Sequence, residues 1–526
     1  MELIENYFYS PLENRFSEET LQELTGLSDA TGIDRRIVLR ALLAPDIMQL
    51  LISGFLRGGK KGSGNYFIGG CSGAYVKGSA VKTHGKALLA RNLDFSGALV
   101  WKYPAIIYNH PTENIDVLKK SVEGIWYFEN KIKQPYMYFS TAGFPGTGLT
   151  GINASGITMS TFVCISKDST RKATPSLDYN HFLFTRIESM EALPLILKDS
   201  HMVSAAPHTV LFADKNQAVC LELSSKKTFF RKMTEGFDSL VQTNHFLNPQ
   251  LKKNEIEFPL ERESTIERYR YLRDAIELQY GRLDPGKMVD IISSNYNRAI
   301  SQASLTGGEF PAQPNTLMSV VIEPESGNFW MAQGKPPGIC FNTYKGFNFF
   351  NEMDDNSNKK YVFSIKRSRN SVFNPGVSQN VHQKGIKSLR YFLLSSEQFK
   401  IGRMDKSLQL LKQAIEMYKD PGYYYVLAIL YLMNQAPEES LNIISIMKSE
   451  YRFSRIKESI IPLWEGRCYD LLGRRRESLE CYRKGLNISG LQDEIKKVYL
   501  RSLKKTFSLK QMPKTLYFNY LGPMKF

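Results

Sequence analysis

From about Tyr66 to Pro337 the chain is a succession of short apolar runs bounded by turn residues, interrupted by only a few longer helical patterns. Strands are expected at Ser72–Val81, Lys86–Phe95, Ala105–Tyr108, Tyr136–Thr141, Gly148–Ile152, Ile157–Cys164, His208–Ala213, Ala218–Leu223 and Ser239–Thr243. Met318–Glu323 and Phe329–Gln333 around Pro324-Glu325-Ser326-Gly327 read as a closing hairpin. Helices are expected at His181–Asp199, Ser264–Tyr280 and near Pro285–Ser294. Strands in runs with helices grouped between them specify an α+β layered domain, not a regularly alternating parallel sheet.

The 526 residues exceed what one core accommodates, so more than one domain is expected. Residues 1–70 read as a helical segment and linker. Ser17-Glu18-Glu19-Thr20 opens an apolar-periodic stretch, and Ile37 to Leu51 forms a second one with Pro45 near its middle. The glycine-rich stretch from Arg57 to Gly64 lacks the G-x-x-x-x-G-K-[ST] order of a phosphate loop. Residues 71–340 form the layered domain, and the Asn-, Ser- and Lys-rich residues 341–382 a linker. Residues 383–526 turn helical and repeat. Gly402 to Leu408, Gln435 to Leu441 and Gly473 to Leu479 align on Ser407, Ser440 and Ser478. Their spacing, near about 34 residues, resembles the tetratricopeptide repeat.

No apolar run reaches about 18 residues, and the longest, Ile47–Leu56, is too short to span a bilayer. The acidic start lacks a secretory signal. Six scattered cysteines without C-x-x-C point to a reducing, cytoplasmic compartment. The formal charge of +16 reads as a basic solvated surface. Its clusters, Lys60-Lys61 and Arg474-Arg475-Arg476, are short and lack the interleaved aromatics of a nucleic-acid platform. The histidines show no metal-ligand spacing, so neither a metal nor a cofactor is expected.

Cys71 is the residue with chemistry to offer. A lone cysteine in a strand is usually a small buried hydrophobe, and Cys164, Cys220 and Cys340 read that way. Cys71, however, follows Gly69-Gly70, so the carbonyl before it is sterically open to its own thiol. Attack there gives a thioester, and hydrolysis frees the α-amine of Cys71. Such an amine titrates near neutral pH, so nucleophile and base sit on one residue. Arg91 is suited to hold the thiolate or a substrate carboxylate, and Asp94 to orient the new ammonium. Three apart, they fall on opposite faces of a regular strand, so a strand end or a bulge is required there. Asn153 and Asn244 are candidate oxyanion donors.

Together these motifs resemble the N-terminal-nucleophile hydrolases, nearest the acyl-coenzyme A:6-aminopenicillanate acyltransferase family. Bile-salt hydrolases and acid ceramidase-like amidases are its wider relatives. The resemblance spans about residues 15–337: the helical pro-region, Gly70-Cys71, Arg91-Asn92-Leu93-Asp94-Phe95, Gly151-Ile152-Asn153-Ala154-Ser155-Gly156, Thr243-Asn244-His245-Phe246 and the closing hairpin. It implies a four-layer αββα sandwich and self-cleavage before Cys71. Cys71 would be nucleophile, Arg91 and Asp94 site organisers, and Asn153 and Asn244 oxyanion or amine contacts. Ser264 and Arg268 would touch substrate. Phe95 departs from the usual Trp, and the appended repeats are absent from the simple enzymes.

The leading expectation is a self-processing amidohydrolase or acyltransferase. It would act on a small acyl amide or acyl thioester, with a protein partner on the repeats and neither nucleic acid nor stable membrane insertion. A retired sandwich serving as a repeat-based scaffold is the alternative. A third reading makes His84 or His245 the base of a Cys–His enzyme. The aromatic runs Trp126-Tyr127-Phe128 and Tyr136-Met137-Tyr138-Phe139 could line an acyl pocket, or simply fill core.

Overall fold

The computed structural model describes residues 7, 9–57, 70–82, 86–95, 97–142, 148–234, 236–353, 362–366, 379–513 and 515–523. The glycine-rich stretch 58–64, Gly69, the turn 83–85 with His84, and the Asn- and Lys-rich run 354–361 lie outside them. In chain order the strands of the two large sheets are β1 (Gly70–Val76), β2 (Leu88–Asp94), β3 (Pro104–Asn109), β4 (Tyr136–Thr141), β5 (Thr150–Asn153), β6 (Thr158–Val163) and β7 (His208–Ala213). Then follow β8 (Ala218–Leu223), β9 (Thr228–Lys232), β10 (Ser239–Gln242), β11 (Thr316–Glu323), β12 (Asn328–Ala332) and β13 (Tyr344–Asn348). One sheet has the order β10-β1-β2-β11-β12-β13, the other β9-β8-β7-β6-β5-β4-β3. All neighbours pair antiparallel.

Side-chain alternation decides what each face meets. Tyr75, Leu89, Leu93 and Phe329 of the first sheet share a buried cluster with Met137, Phe139, Phe162 and Leu211 of the second. The sheets therefore pack face to face. Ala74, Val76, Leu88 and Val321 point the other way, onto the helices Pro259–Leu278 and Pro285–Ile292. On the far side of the second sheet, Tyr138, Met159 and Val210 meet Leu183, Phe184 and Leu193. Central strands β1 and β2 are buried on both faces, so that even Ser72, Arg91, Asn92 and Asp94 are enclosed.

The helices that frame the sheets are, in chain order, α1 (Glu18–Thr31), α2 (Arg35–Arg57), α3 (Ser176–Arg186), α4 (Leu193–Ser200), α5 (Pro259–Leu278) and α6 (Pro285–Ile292). Ser17 caps α1, its Oγ accepting from the Thr20 N–H at 3.2 Å. The helix expected over His181–Asp199 is two helices. Ile187 turns extended, and its carbonyl accepts from Gln134 Nε2 at 2.8 Å and Asn153 Nδ2 at 3.0 Å, so tertiary bonds break the run. The stretch expected to be linker begins with an edge strand, β13, pairing with β12. Trp126, Tyr127 and Phe128 lie on the exposed strand Trp126–Ile132 of a hairpin with Asn114–Lys120, whereas Tyr136 to Phe139 fill core on β4.

Helix α2 continues through Pro45, as the single stretch expected from Ile37 to Leu51 required, and extends beyond it at both ends. By length and composition Arg35–Gly54 could cross a membrane, but 56% of that window is packed against the rest of the chain. Asp46, in its middle, is fully buried and accepts from the Ser176 N–H at 2.9 Å at the start of α3. Burial pushes that carboxyl up to about 7, against the lowering by the Ser176 hydrogen bonds.

The C-terminal residues form successive helix pairs: α7 (Gln379–Lys400) with α8 (Met404–Met417), α9 (Pro421–Met433) with α10 (Pro437–Glu450), and α11 (Arg455–Leu471) with α12 (Arg475–Leu486), followed by α13 (Asp493–Lys504). The aligned serines lie where partners approach closest. Ser407 Oγ donates to the Ser395 carbonyl at 2.9 Å and Ser440 Oγ to that of Ala428 at 2.8 Å. This array shares one apolar cluster with the sheet domain: Phe258, Leu260, Leu305 and Leu317 pack with Phe392, Tyr423, Phe518 and Tyr520.

Candidate active site

Strands β1 and β2 lie in register, with Gly70 opposite Asp94, Cys71 opposite Leu93 and Gly73 opposite Arg91. Alternation puts Cys71, Gly73, Arg91 and Leu93 on the face toward the second sheet, and Gly70, Ser72, Asn92 and Asp94 on the face toward α5 and α6. Arg91 and Asp94 are thus on opposite faces, as their spacing demands. Asp94 ends β2, and β11 slips its register opposite it, between Thr316 and Met318. The strand end and the irregularity that the sequence required both occur there. The two side chains bracket the Gly70–Cys71 junction from either face of the sheet.

On the inter-sheet face, Arg91 Nη2 donates to Cys71 Sγ at 3.1 Å and to the Thr161 carbonyl at 2.8 Å. Its guanidinium lies over the Phe162 ring, 5.0 Å from the centroid. Gly73 makes room for this: a Cβ there would stand 2.5 Å from Phe162. Arg91 Nε and Nη1 are buried with no hydrogen-bond partner among the described residues. A guanidinium beside a thiol with donors to spare among the described residues is a ready site for a developing negative charge.

On the helix face, Asp94 Oδ1 accepts from Thr316 Oγ1 at 2.6 Å, while Oδ2 has no partner among the described residues. Oδ2 lies 3.1 Å from where a Cβ on Gly70 would stand. Burial raises the carboxyl to about 6, opposed by the Arg268 charge, the Thr316 hydrogen bond and the Arg91 charge. Arg268, on α5, is 1% exposed. Its Nη1 donates to the Cys71 carbonyl and, at 3.1 Å, to Ser72 Oγ. Its Nη2 donates to Asn244 Oδ1 at 3.1 Å, and its Nε to Ser264 Oγ at 3.4 Å. Ser264 and Arg268 share a helix face through their i, i+4 spacing.

The β10–β1 ladder ends at Gln242 opposite Gly73. Beyond it, Asn244 Oδ1 takes over the role of a strand carbonyl and accepts from the Cys71 N–H at 2.5 Å. Asn244 Nδ2 donates to the Val163 carbonyl at 3.1 Å. Cys71, Arg91, Asp94, Asn244, Arg268 and Ser264 thus form one connected group.

Asn153 is not brought to it. Its Nδ2 donates to the Phe184 and Ile187 carbonyls, and its Oδ1 accepts from the Ile157 N–H, so it closes the β5–β6 turn and anchors the end of α3. His245 bonds Thr243 and Thr265 through Nδ1, and burial, with Arg262 and Arg268 nearby, holds it down at about 3. It stays neutral and makes no contact with Cys71 among those recorded for the described residues.

A mostly enclosed apolar pocket opens on Cys71, walled by Met48 and Gln49 of α2 together with Phe95, Leu149, Val163 and Leu177. Sequence reasoning missed α2 as a wall. It also missed Thr161, Thr316 and Gly73, whose types are common in any strand and whose roles appear only once the register is known.

Asp94 carries a pH prediction. Between the ordinary carboxylate value near 4 and about 6, the folded chain holds a proton that the unfolded chain has released. Its contribution to stability is therefore complete at acid pH and is lost as pH rises through that window. Asp94→Asn, which resembles the protonated form, should remove this slope. Urea titrations at pH 4.5 and 6.5, compared between wild type and variant, check it; an unchanged difference overturns it.

Residues 81–337 match the family model of acyl-coenzyme A:6-aminopenicillanic acid acyl-transferase. The matched span contains Arg91, Asp94, Asn153, Asn244, Ser264 and Arg268 and begins after Cys71. No curated protein matches the chain. Among solved structures, the Caenorhabditis elegans N-acylethanolamine-hydrolyzing acid amidase ortholog is similar at 16% identity and a TM-score of 0.28, over 48% of this chain and 93% of that one.

Proposed function

We propose that the chain is a self-processing amidohydrolase or acyltransferase whose nucleophile is Cys71, released as a new N-terminal residue by cleavage after Gly70. The observation that carries this reading is the bracketed junction: Arg91 on the sulfur, Asn244 on the amide N–H, and an Asp94 oxygen beside Gly70 with no partner among the described residues. In the first step the thiol adds to the Gly70 carbonyl carbon. The C–N bond then breaks, the nitrogen takes up the proton, and a thioester joins Gly70 to the sulfur. Water adds to the thioester, the C–S bond breaks, and the Gly70 carboxylate and the Cys71 thiol are released, leaving Cys71, its α-amine already free, as the new N-terminal residue. Asn244 Oδ1 and Asp94 Oδ2 are then two acceptors for the new ammonium.

Turnover repeats the chemistry on an external acyl group. The α-amine takes the thiol proton and delivers it to the leaving amine, the acyl group rests on sulfur, and water or an acceptor amine removes it. Arg91's free N–H groups face the charge that develops. The apolar pocket suits an acyl chain more than a polar peptide. In this reading the layering is that of the N-terminal-nucleophile sandwich, residues 1–70 are a pro-segment whose α2 walls the pocket, and the C-terminal array is tetratricopeptide-like and open to a protein partner. Six free cysteines accord with a cytoplasmic, reducing location.

N-terminal sequencing of purified protein tests the first step, with Cys71 expected as the first residue of the larger fragment. A panel of acyl amides and acyl thioesters tests the second, with Cys71→Ser expected to lose most turnover. An intact wild-type chain that behaves like Cys71→Ser on every substrate would sink the proposal.

A further inference from the structure

One route from the helical array to the junction is a loop. Residues 304–309 run between the array and α5, and both ends of the loop are gripped from the array side. Asp420, which caps α9, accepts from the Leu305 N–H at 2.6 Å, from Ser304 Oγ at 3.1 Å and from Thr306 Oγ1. Gly422 on the first turn of α9 leaves the space that Thr306 occupies. Lys457, on α11 and 1% exposed, donates to the Gly307 carbonyl at 3.0 Å and pairs with Glu309 and, at 3.5 Å, with Glu263 of α5. The loop passes the grip on. The Gly308 carbonyl accepts from Ser264 Oγ at 2.5 Å, Ser264 Oγ accepts from Arg268 Nε, and Arg268 holds the Cys71 carbonyl, Ser72 and Asn244. Gly307 and Gly308 both adopt positive φ, +113° and +83°, and a Cβ on Gly308 would stand 3.0 Å from Ser264 Oγ and 3.2 Å from Tyr520. Positive φ at these two glycines lets the loop present the Gly308 carbonyl to Ser264 and to Gln313 Nε2, which donates at 2.7 Å.

We infer that the helical array is a working part of the catalytic centre, and that Lys457 and Asp420 are positioning residues that set Arg268, and through it the Cys71 junction, by clamping the 304–309 loop. The inference rests on the nucleophile reading above for its effect on rate, but not for its effect on geometry. Lys457 and Asp420 touch neither sulfur nor substrate. Their loss lets Ser264 and Arg268 relax, and a displacement of about 1 Å at a reacting group can reduce rate on the order of 100-fold.

The test uses the full chain with Lys457→Met and Asp420→Asn, the second nearly isosteric. Asp470→Asn is the control. It removes a carboxylate of comparable burial that holds Arg475, Ser478 and Tyr482 inside the array and makes no recorded contact with the loop. Intact mass against time, kcat and KM on an acyl amide, and amide exchange at position 71 in a Cys71→Ala background are read together. Both clamp variants should slow cleavage and lower kcat by about tenfold to a hundredfold. KM should hold, because Met48, Leu149 and Leu177 wall the pocket from other elements. Exchange at position 71 should quicken, since Asn244 shares its oxygen between that N–H and Arg268. Asp470→Asn should lower the melting temperature and leave cleavage unchanged. Wild-type cleavage, kcat and exchange in both clamp variants would overturn the inference, as would an equal slowing by Asp470→Asn. If wild type itself is never cut, the nucleophile reading fails separately, and exchange at position 71 alone decides whether the clamp exists.

Discussion

Cys71→Ala is expected to leave one uncut polypeptide with no measurable acyl transfer. On the proposed mechanism the substitution removes the nucleophile for both self-cleavage and turnover, so activity should fall by at least about 10⁴-fold, the scale seen when a nucleophile is deleted from an intact site. Folding should survive. Cys71 is 4% exposed and packs with Leu93 in the inter-sheet cluster, and deleting one buried sulfur from such a cluster costs about 1 kcal/mol. The Cys71 N–H and carbonyl keep Asn244 and Arg268, because both are backbone contacts. Intact mass, a thermal melt and turnover of an acyl amide separate the possibilities. A variant still cut after Gly70, or one that retains turnover with a normal melt, retires Cys71 as nucleophile. Cys71→Ser sharpens the reading, since a hydroxyl at the same place keeps the packing and should be cut slowly through an ester.

How far the sequence reached depended on whether a residue acts through its chain neighbours or through register. The central strands were legible, although β1 ends at Val76, short of the expected Val81, where Gly78–Ala80 turn into a 3-10 helix. Opposite faces for Arg91 and Asp94 followed from spacing alone, and the strand end at Asp94 resolved them. Asn153 shows the converse. Its G-x-N-x-x-G setting fits an oxyanion donor as well as a turn, and only tertiary contact with the end of α3 reveals that its amide is already engaged. The break after Arg186 was hidden for the same reason, because Ile187 gives its carbonyl to Gln134 and Asn153 instead of to a continuing helix. Thr316 reaches Asp94 across a strand pair separated by most of the domain, and no local pattern marks it. Helix α2 was legible as one stretch despite Pro45, but the role of Asp46 was not, because it bonds the distant start of α3.

Arg91→Met should fold and fail to process. The substitution leaves the Thr161 carbonyl without its donor, a loss of about 1–3 kcal/mol. It also removes two buried N–H groups that have no partner among the described residues, so the two effects partly offset. Methionine can lie along the Phe162 ring where the guanidinium now sits. Chemistry loses more. With no cation at the sulfur, nothing in that fork meets the charge that develops on the attacked carbonyl, and removal of one such donor costs on the order of 10²–10³ in rate. Asp94 reports the same change independently. Arg91 is one of the charges that hold its carboxyl down to about 6, so without Arg91 that value rises and the pH above which Asp94 is ionised moves up. Arg91→Lys keeps the charge, but as a single compact donor that cannot serve sulfur and the Thr161 carbonyl from one planar fork. It should therefore fall between wild type and Arg91→Met in rate, with the Asp94 titration close to wild type. Cleavage rate by intact mass and the pH dependence of turnover measure both effects. Processing within threefold of wild type in Arg91→Met, with an unmoved pH profile, would make Arg91 a packing residue and leave the sulfur to its own amine.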